Sequence, residues 1–235
     1  MKREFLSAIF VLALPAAGWS QPATTEGGQL FAGSPQYPLL PRALEIELAL
    51  NAAPKHLRDQ ATVWVLDRTG YTIARRGTNA FACIVSRRAG DVFPVCWDAE
   101  GARSLLPIDV DDAQMRLAGK SGAEIEASVV DRFRSGAYHS PARPGIAYML
   151  SPMRYGIDEH GVVTRTVSNP HLMFYGPNLT DEDIGGVRGA FVFINRVGPD
   201  GMMIVLVGEK ERETIVSESR SLVEQVERTL GYRTR

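Results

Sequence analysis

The sequence is poor in several features that mark particular classes of protein. Its 235 residues include only two cysteines and four histidines, and 26 basic residues nearly balance 27 acidic ones. A chain with two cysteines is not a multi-disulfide scaffold. A net charge of -1 provides no basic surplus to neutralise phosphates, so nucleic acid is not expected as a partner. Hydrophobic residues still make up 45% of the chain, which permits a sizeable core.

Common catalytic and metal-binding motifs are also missing. No Gly-x-Ser-x-Gly elbow occurs, and Gly119-Lys-Ser121 lacks the upstream glycine of a phosphate loop because Gln114 stands there. No two histidines have the i, i+4 spacing of a zinc helix, and there is no Cys-x-x-Cys. The sequence therefore predicts no metal ion and no cofactor. Ser121 is better explained as a helix cap.

The N-terminus has the layout of a secretory signal peptide. Lys2 and Arg3 precede an apolar run over residues 5–14, and Pro15 and small residues follow before a cleavage position at Gln21. The apolar run is about half the ~20 residues that a transmembrane helix needs. An uncleaved anchor or a buried N-terminal helix is the alternative. Export predicts a periplasmic or secreted protein with no membrane span once the signal is removed.

The remaining chain is expected to form one domain. Residues 1–20 are the predicted signal peptide, residues 21–41 a flexible lead-in, residues 42–208 a globular domain, and residues 209–235 an amphipathic C-terminal helix or tail. The order of helical and strand patterns predicts an α+β fold, a mostly antiparallel sheet of hairpins with a few packing helices. Whether the C-terminal helix docks or projects is left open.

Apolar periodicity and turn signals give the individual elements. Helices are predicted over residues 42–52, 109–118, 121–135 and 210–230, with a capping box from Ser121 to Glu124. Thr180 and Asp183 predict a second, shorter cap; a calcium loop is the alternative there. Strands are predicted over residues 61–66, 71–75, 81–85, 93–97, 146–150, 162–167, 171–175, 190–195 and 202–207.

The two cysteines lie in strand-like runs that a turn would place side by side. Cys83 and Cys96 are separated by the turn-forming segment 86–91, and an exported protein permits a disulfide between them. Two separate buried thiols, or a catalytic nucleophile, are the alternatives. A nucleophile needs an exposed, electropositive pocket, whereas Cys83 is flanked by Ala82 and Ile84.

Residues 138–177 are unusually rich in the side chains of recognition surfaces, namely aromatics, methionine and arginine. Strand alternation over residues 171–175 places His171, Met173 and Tyr175 on one face, and Leu172 and Phe174 on the other. If the second face is core, the first lines a ligand-binding groove, to which His139 is added. The alternative is a strand buried on both faces, with His171 hydrogen-bonded inside.

Several strings resemble those of a group of exported bacterial proteins that have no assigned activity. They are Asn79–Cys83, Pro94–Trp97, Tyr148–Ser151 and Pro170–Tyr175. The resemblance spans most of residues 45–208 and implies a bacterial, exported origin, with no catalytic residue to transfer. Separately, Ala61–Gly70 is similar to a segment of small α/β sensor and haem-binding modules.

These observations favour a non-catalytic binding or interaction protein whose partner is a small molecule or an envelope protein. One alternative is a metal-assisted or acid–base hydrolase that uses His139, His160 and His171, which requires the three rings to converge. A third possibility is a structural envelope component held by its C-terminal helix.

Overall fold

The fold rests on one long sheet with helices against parts of both faces. The structure is a computed structural model that describes residues 39–157 and 163–231. The predicted signal peptide, most of the lead-in and His160 lie outside these residues. The helices are α1 (Arg42–Asn51), α2 (Lys55–Arg58), α3 (Ala99–Ser104), α4 (Leu106–Leu117), α5 (Gly122–Ser135), α6 (Asp181–Ile184) and α7 (Glu209–Leu230).

Ten strands form within the described residues. They are β1 (Thr62–Asp67), β2 (Gly70–Arg75), β3 (Ala82–Ser86), β4 (Asp91–Trp97), β5 (Ile146–Met149), β6 (Met153–Ile157), β7 (Val163–Val167), β8 (His171–Tyr175), β9 (Val192–Arg196) and β10 (Met202–Leu206). Their order is β2-β1-β3-β4-β5-β8-β10-β9, and β6 pairs with both β4 and β7. The predicted α+β domain with a mostly antiparallel sheet is confirmed; only β1 and β3, among the described pairs, run parallel.

The local chemistry of the sequence determines where helices begin. Ser121 and Glu124 form the predicted capping box at the start of α5, and Thr180 and Asp183 form the second one at α6. Each box satisfies two backbone N–H groups that the first helical turn leaves free. In α3 the cap is the Asp98 side chain, which accepts from the Gly101 N–H.

Strands β3 and β4 are covered on both faces. Every residue of β3 is buried. Ser86 donates a hydrogen bond to Asp109 on α4, whereas Arg87, the next residue, pairs with Glu45 on α1. Since successive side chains point to opposite faces of a strand, α4 and α1 lie on opposite sides of this part of the sheet.

Helix α7 answers the question left open for the C-terminal region. Its second half docks, because Leu222, Val223 and Val226 are buried and Asn51 donates to Ser219 at 3.1 Å. Its first half is largely exposed, and Val216 is 40% exposed. The helix therefore crosses from the end of β10 to α1 and rests on the domain at its C-terminal end.

The free edge of the sheet at β9 is partly blocked by α6. The Asp181 carboxylate accepts a hydrogen bond from the Ile194 backbone N–H at 2.6 Å. This N–H points away from β10, since β9 pairs with β10 alone. A negatively charged side chain thus takes a place that another strand would otherwise occupy.

Candidate functional site

Two rows of apolar side chains cross one face of the sheet from β5 to β9. In the first row Ile146 pairs with Phe174, Phe174 with Met203, and Met203 with Ile194. In the second row Tyr148 pairs with Leu172, Leu172 with Val205, and Val205 with Val192. Directly paired residues share a face, so these eight side chains form one surface without a charged member. We call it the outer face: Ile146, Tyr148, Leu172, Phe174, Val192, Ile194, Met203 and Val205.

The outer face is only partly covered. Seven of its side chains are half-buried, and Ile194 is 3% exposed. Among the described residues, no helix packs extensively on β5, β8 or β10, whereas α1 packs on β1, β3 and β4 on the same side. A half-covered apolar surface of this kind on a folded domain is typical of an interaction site.

The second row continues into the disulfide. Tyr148 pairs with Cys96, and Cys96 pairs with Cys83, to which it is bonded. The predicted disulfide is confirmed. Both cysteines are fully buried and both sulfurs are used in the bond, which excludes the nucleophile alternative for the oxidised protein. The Tyr148 ring packs against Phe81 at a centroid distance of 5.9 Å, which secures this end of the outer face.

Three elements border the outer face. On its β5 side, the Leu150 N–H donates to the Ala52 carbonyl at the end of α1. Along the strand ends, the first half of α7 runs from Gly208 to the Ser219–Asn51 contact. At the β9 side lies α6. The outer face is therefore an apolar floor with other elements of the fold along three of its sides.

The border is acidic. Helix α6 carries Asp181, Glu182 and Asp183 in its single turn. Residues 209–218 of α7 contain four glutamates and two cations. Lys55 pairs with Glu218 at 2.6 Å and Arg212 with Glu209 at 3.4 Å. Within the described residues, Glu182, Glu211 and Glu213 have no cationic partner.

The opposite, inner face of β8 carries the three strand residues that the sequence placed in a groove. Met173 is 3% exposed and His171 8% exposed, while Leu172, Phe174 and Tyr175 are half-buried. The groove hypothesis depends on Leu172 and Phe174 facing the core, and this condition is not met, because the buried residues of β8 are His171 and Met173. Whether His171, Met173 or Tyr175 binds a ligand stays a prediction.

His171 is held in one tautomer by the backbone. Its Nδ1 lies 2.7 Å from the Asn169 carbonyl oxygen, and because a carbonyl only accepts, Nδ1 carries the proton. Burial lowers the pKa of the ring, so the imidazole is neutral near pH 7. This is the hydrogen-bonded alternative of the sequence analysis. A shallow depression of about 200 Å³ lies beside it, lined by Asn169, Pro170, Leu206, Val207, Glu209 and Arg212, and is smaller than most ligand pockets.

Tyr175 acts in a structural junction. Its hydroxyl donates to Asp98 at 2.6 Å, and burial together with this carboxylate raises the pKa of the phenol. Asp98 also accepts from the Gly101 N–H, which begins α3, and from the Ile146 N–H, which begins β5. A side chain at Gly101 would overlap the Tyr175 hydroxyl. The start of α3, the start of β5 and the position of Tyr175 therefore depend on one another.

The histidine hypothesis receives no support from the described residues. His139 is exposed in the connection between α5 and β5, His171 is buried, and His160 lies outside the described residues. No group of three or more His, Cys, Asp or Glu side chains in the described part of the chain could hold a metal ion.

Two buried charged clusters were not identified from the sequence. Glu45 and Arg87 form a fully buried bidentate pair with N–O distances of 2.9 and 3.0 Å, and Glu45 also accepts from the Leu66 N–H. Asp109 accepts from Ser86 at 2.8 Å, and burial raises the pKa of its carboxyl to about 6. Both clusters are closed to solvent and join helices to the sheet.

Comparisons with known proteins returned no match among family models, curated proteins or solved structures. In the described ranges no helix has the length and apolar character needed to cross a bilayer.

Proposed function

We propose that this protein is a non-catalytic interaction protein, exported from the cytosol, that binds a partner through the outer face. The observation that carries the proposal is the pair of apolar rows, eight side chains without a charge, on a sheet face that no described helix covers extensively. Contiguous apolar surfaces rimmed by polar residues mark sites of interaction.

Export is part of the proposal and has its own support. The leader-like first twenty residues and the Cys83–Cys96 disulfide both agree with an oxidising compartment. We expect N-terminal sequencing of the mature protein to begin at Gln21. A chain that begins at Met1 and is recovered from the cytosol would contradict this part of the proposal.

Site-specific photo-crosslinking tests the binding surface. A photoreactive phenylalanine analogue at Leu172 lies on the outer face, whereas the same analogue at Val130 lies on α5 and is also exposed, at 49%. We expect a discrete crosslinked adduct from position 172 and none from position 130, in cells that export the protein.

Two crosslinking results would contradict the proposed binding surface. If position 172 gives no adduct, or both positions give the same set, the outer face is not a specific binding surface. The melting temperature of each labelled protein is measured beforehand, so that an unfolded variant is not counted as a failure to bind.

A further inference from the structure

We infer that the partner presents a basic amphipathic segment, an apolar stripe flanked by Lys or Arg, to the outer face. This inference rests on the proposed function and adds the chemistry of the partner. Its support is the combination of an uncharged floor with borders on which Glu182, Glu211 and Glu213 have no cationic partner among the described residues.

The area of the outer face limits the size of the segment that can bind to it. Four strands spaced about 4.8 Å apart, with two rows about 7 Å apart, give a rectangle of roughly 20 by 12 Å. A standard interface requires about 800 Å² from each partner, which is several times this area. A single helix about 10 Å wide fits the floor, whereas a stable dimer built on this face alone does not.

The borders determine the sign of the charge that the partner should carry. At the β9 side, Glu182 is exposed and unpaired, while Asp181 and Asp183 are used in backbone hydrogen bonds. Along the strand ends, Glu211 and Glu213 are exposed and unpaired on α7. Among the described border residues, Arg188 after α6 and Lys210 in the first turn of α7 are cations without a carboxylate partner, so residues 181–188 and 209–218 each keep a net charge of -2. A segment bound to the floor lies beside both borders, so cationic flanks are attracted and anionic flanks repelled.

The apolar centre and the acidic border have separate roles in this arrangement. Leu172 and Phe174 lie on the central strand and exclude water from the contact. The carboxylates lie at the rim, where they select the partner and speed its approach more than they tighten binding. Selectivity should therefore depend on salt, while the apolar contribution should not.

Two labelled model peptides test the inference by fluorescence anisotropy. Both have the same leucine stripe along one helical face, and their remaining positions are lysine in one and glutamate in the other. At about 50 mM salt we expect the lysine peptide to bind roughly tenfold more tightly than the glutamate peptide. At about 500 mM salt the difference should shrink to less than about threefold.

Protein variants identify the surface. Phe174→Glu should abolish binding of the lysine peptide, while Val130→Glu, an equal change of charge on exposed α5, should leave it within about twofold. The double reversal Glu182→Lys with Glu213→Lys should invert the preference between the two peptides. Circular dichroism and the melting temperature confirm that each variant is folded.

The outcomes separate the two proposals. Equal affinities for the two peptides, or a preference that survives the double reversal, overturn the inference. Crosslinking from position 172 without peptide binding overturns the inference and leaves the proposed function standing. A concentration-dependent dimer in sedimentation, abolished by Phe174→Glu, makes a second copy the occupant and also overturns it. Failure of both crosslinking and peptide binding removes both proposals.

Discussion

At the scale of single residues, the domain places charge where water is absent. Glu45 and Arg87 are both fully buried, and Tyr71 and the Val85 carbonyl share the Arg87 guanidinium. Burial is the largest single effect and lowers the pKa of Arg87, but Glu45, Tyr71 and Tyr155 together raise that pKa above its ordinary value. A pair of this type contributes little net stability, but breaking it leaves an isolated buried charge.

We predict that Glu45→Gln destabilises the domain strongly. The neutral amide keeps the shape of the side chain but removes the counter-charge of Arg87, at a cost of about 3–5 kcal/mol. Urea unfolding followed by circular dichroism measures the change. Glu47→Gln is the matched control, because Glu47 is exposed on the same helix; a loss of equal size in the control would contradict the assignment.

The second residue-scale prediction concerns Asp109 and pH. Its pKa of about 6 in the folded protein lies above that of an unfolded aspartate, about 3.9. Between these two pH values the folded state keeps a proton that the unfolded state has lost. The protonated Asp109 carboxyl therefore stabilises the fold fully below about pH 4, and this contribution is lost as the pH rises through 6. The shift corresponds to roughly 3 kcal/mol.

Asp109→Asn should remove this dependence of stability on pH. We expect the stability of the wild type to fall relative to that of the variant between pH 4 and 7, as measured by urea midpoints at each pH. Parallel profiles for the two proteins would show that Asp109 does not titrate in this range. The amide can still accept from Ser86, so the variant keeps that hydrogen bond.

At the scale of elements, β8 shows how differently the two faces of one strand are used. Met173 belongs to the hydrophobic core, and the adjacent Leu172 does not. We predict that Met173→Ala costs about 2–5 kcal/mol, because it opens a cavity. Leu172→Ala should cost less, about 1 kcal/mol, because Leu172 is only half-buried and lies outside the core. Thermal unfolding of both variants checks this, and equal losses would show that the outer face is packed after all.

Local sequence patterns predicted most helices and strands well, but they did not show which face of β8 is buried. The limits of β8, the two capping boxes and the β9–β10 hairpin agree with the structure because turn residues and caps act within a few positions. Helix α3 was missed because its Asp98-Ala-Glu-Gly101 start reads as a turn, and Asp98 acts as a cap instead. Strand β6 was also missed; it pairs with β7, the next strand in the chain, and with the more distant β4.

The candidate site was harder to predict, for a physical reason. In residues 171–175 both alternating sets are apolar or aromatic, so the period identifies two faces but cannot say which one is covered. That choice depends on which elements pack on each face of the sheet, and such contacts join residues that are far apart in sequence. The rows themselves were foreseeable in one respect: five consecutive non-charged strand residues around Leu172 and Phe174 indicate a strand that is apolar on both sides.

At the scale of the whole molecule, the disulfide ties the fold to its compartment. Cys83 and Cys96 join β3 to β4 at a sequence separation of 13, and closing a loop of this length contributes about 3 kcal/mol in the chain-entropy model. A cytosolic environment keeps thiols reduced, so the same chain is expected to be markedly less stable before export than after it.

We predict that reduction lowers the urea midpoint, and that the Cys83→Ala, Cys96→Ala variant matches the reduced wild type. Adding reductant to the variant should change nothing, which controls for effects of the reductant itself. If oxidised and reduced wild type unfold at the same midpoint, the bond does not contribute to stability. Loss of peptide binding on reduction is not expected, because the outer face lies mainly on β5, β8, β9 and β10.

The Asp181 contact with the Ile194 N–H has a consequence for the life of the protein at high concentration. A protein with two half-covered apolar rows beside an exposed edge strand is prone to form fibrils, since molecules could join strand to strand without limit. Because the Asp181 carboxylate already occupies the edge of β9, the addition of further strands there is unfavourable. Association through the outer face should therefore stop at one partner instead of continuing into a polymer.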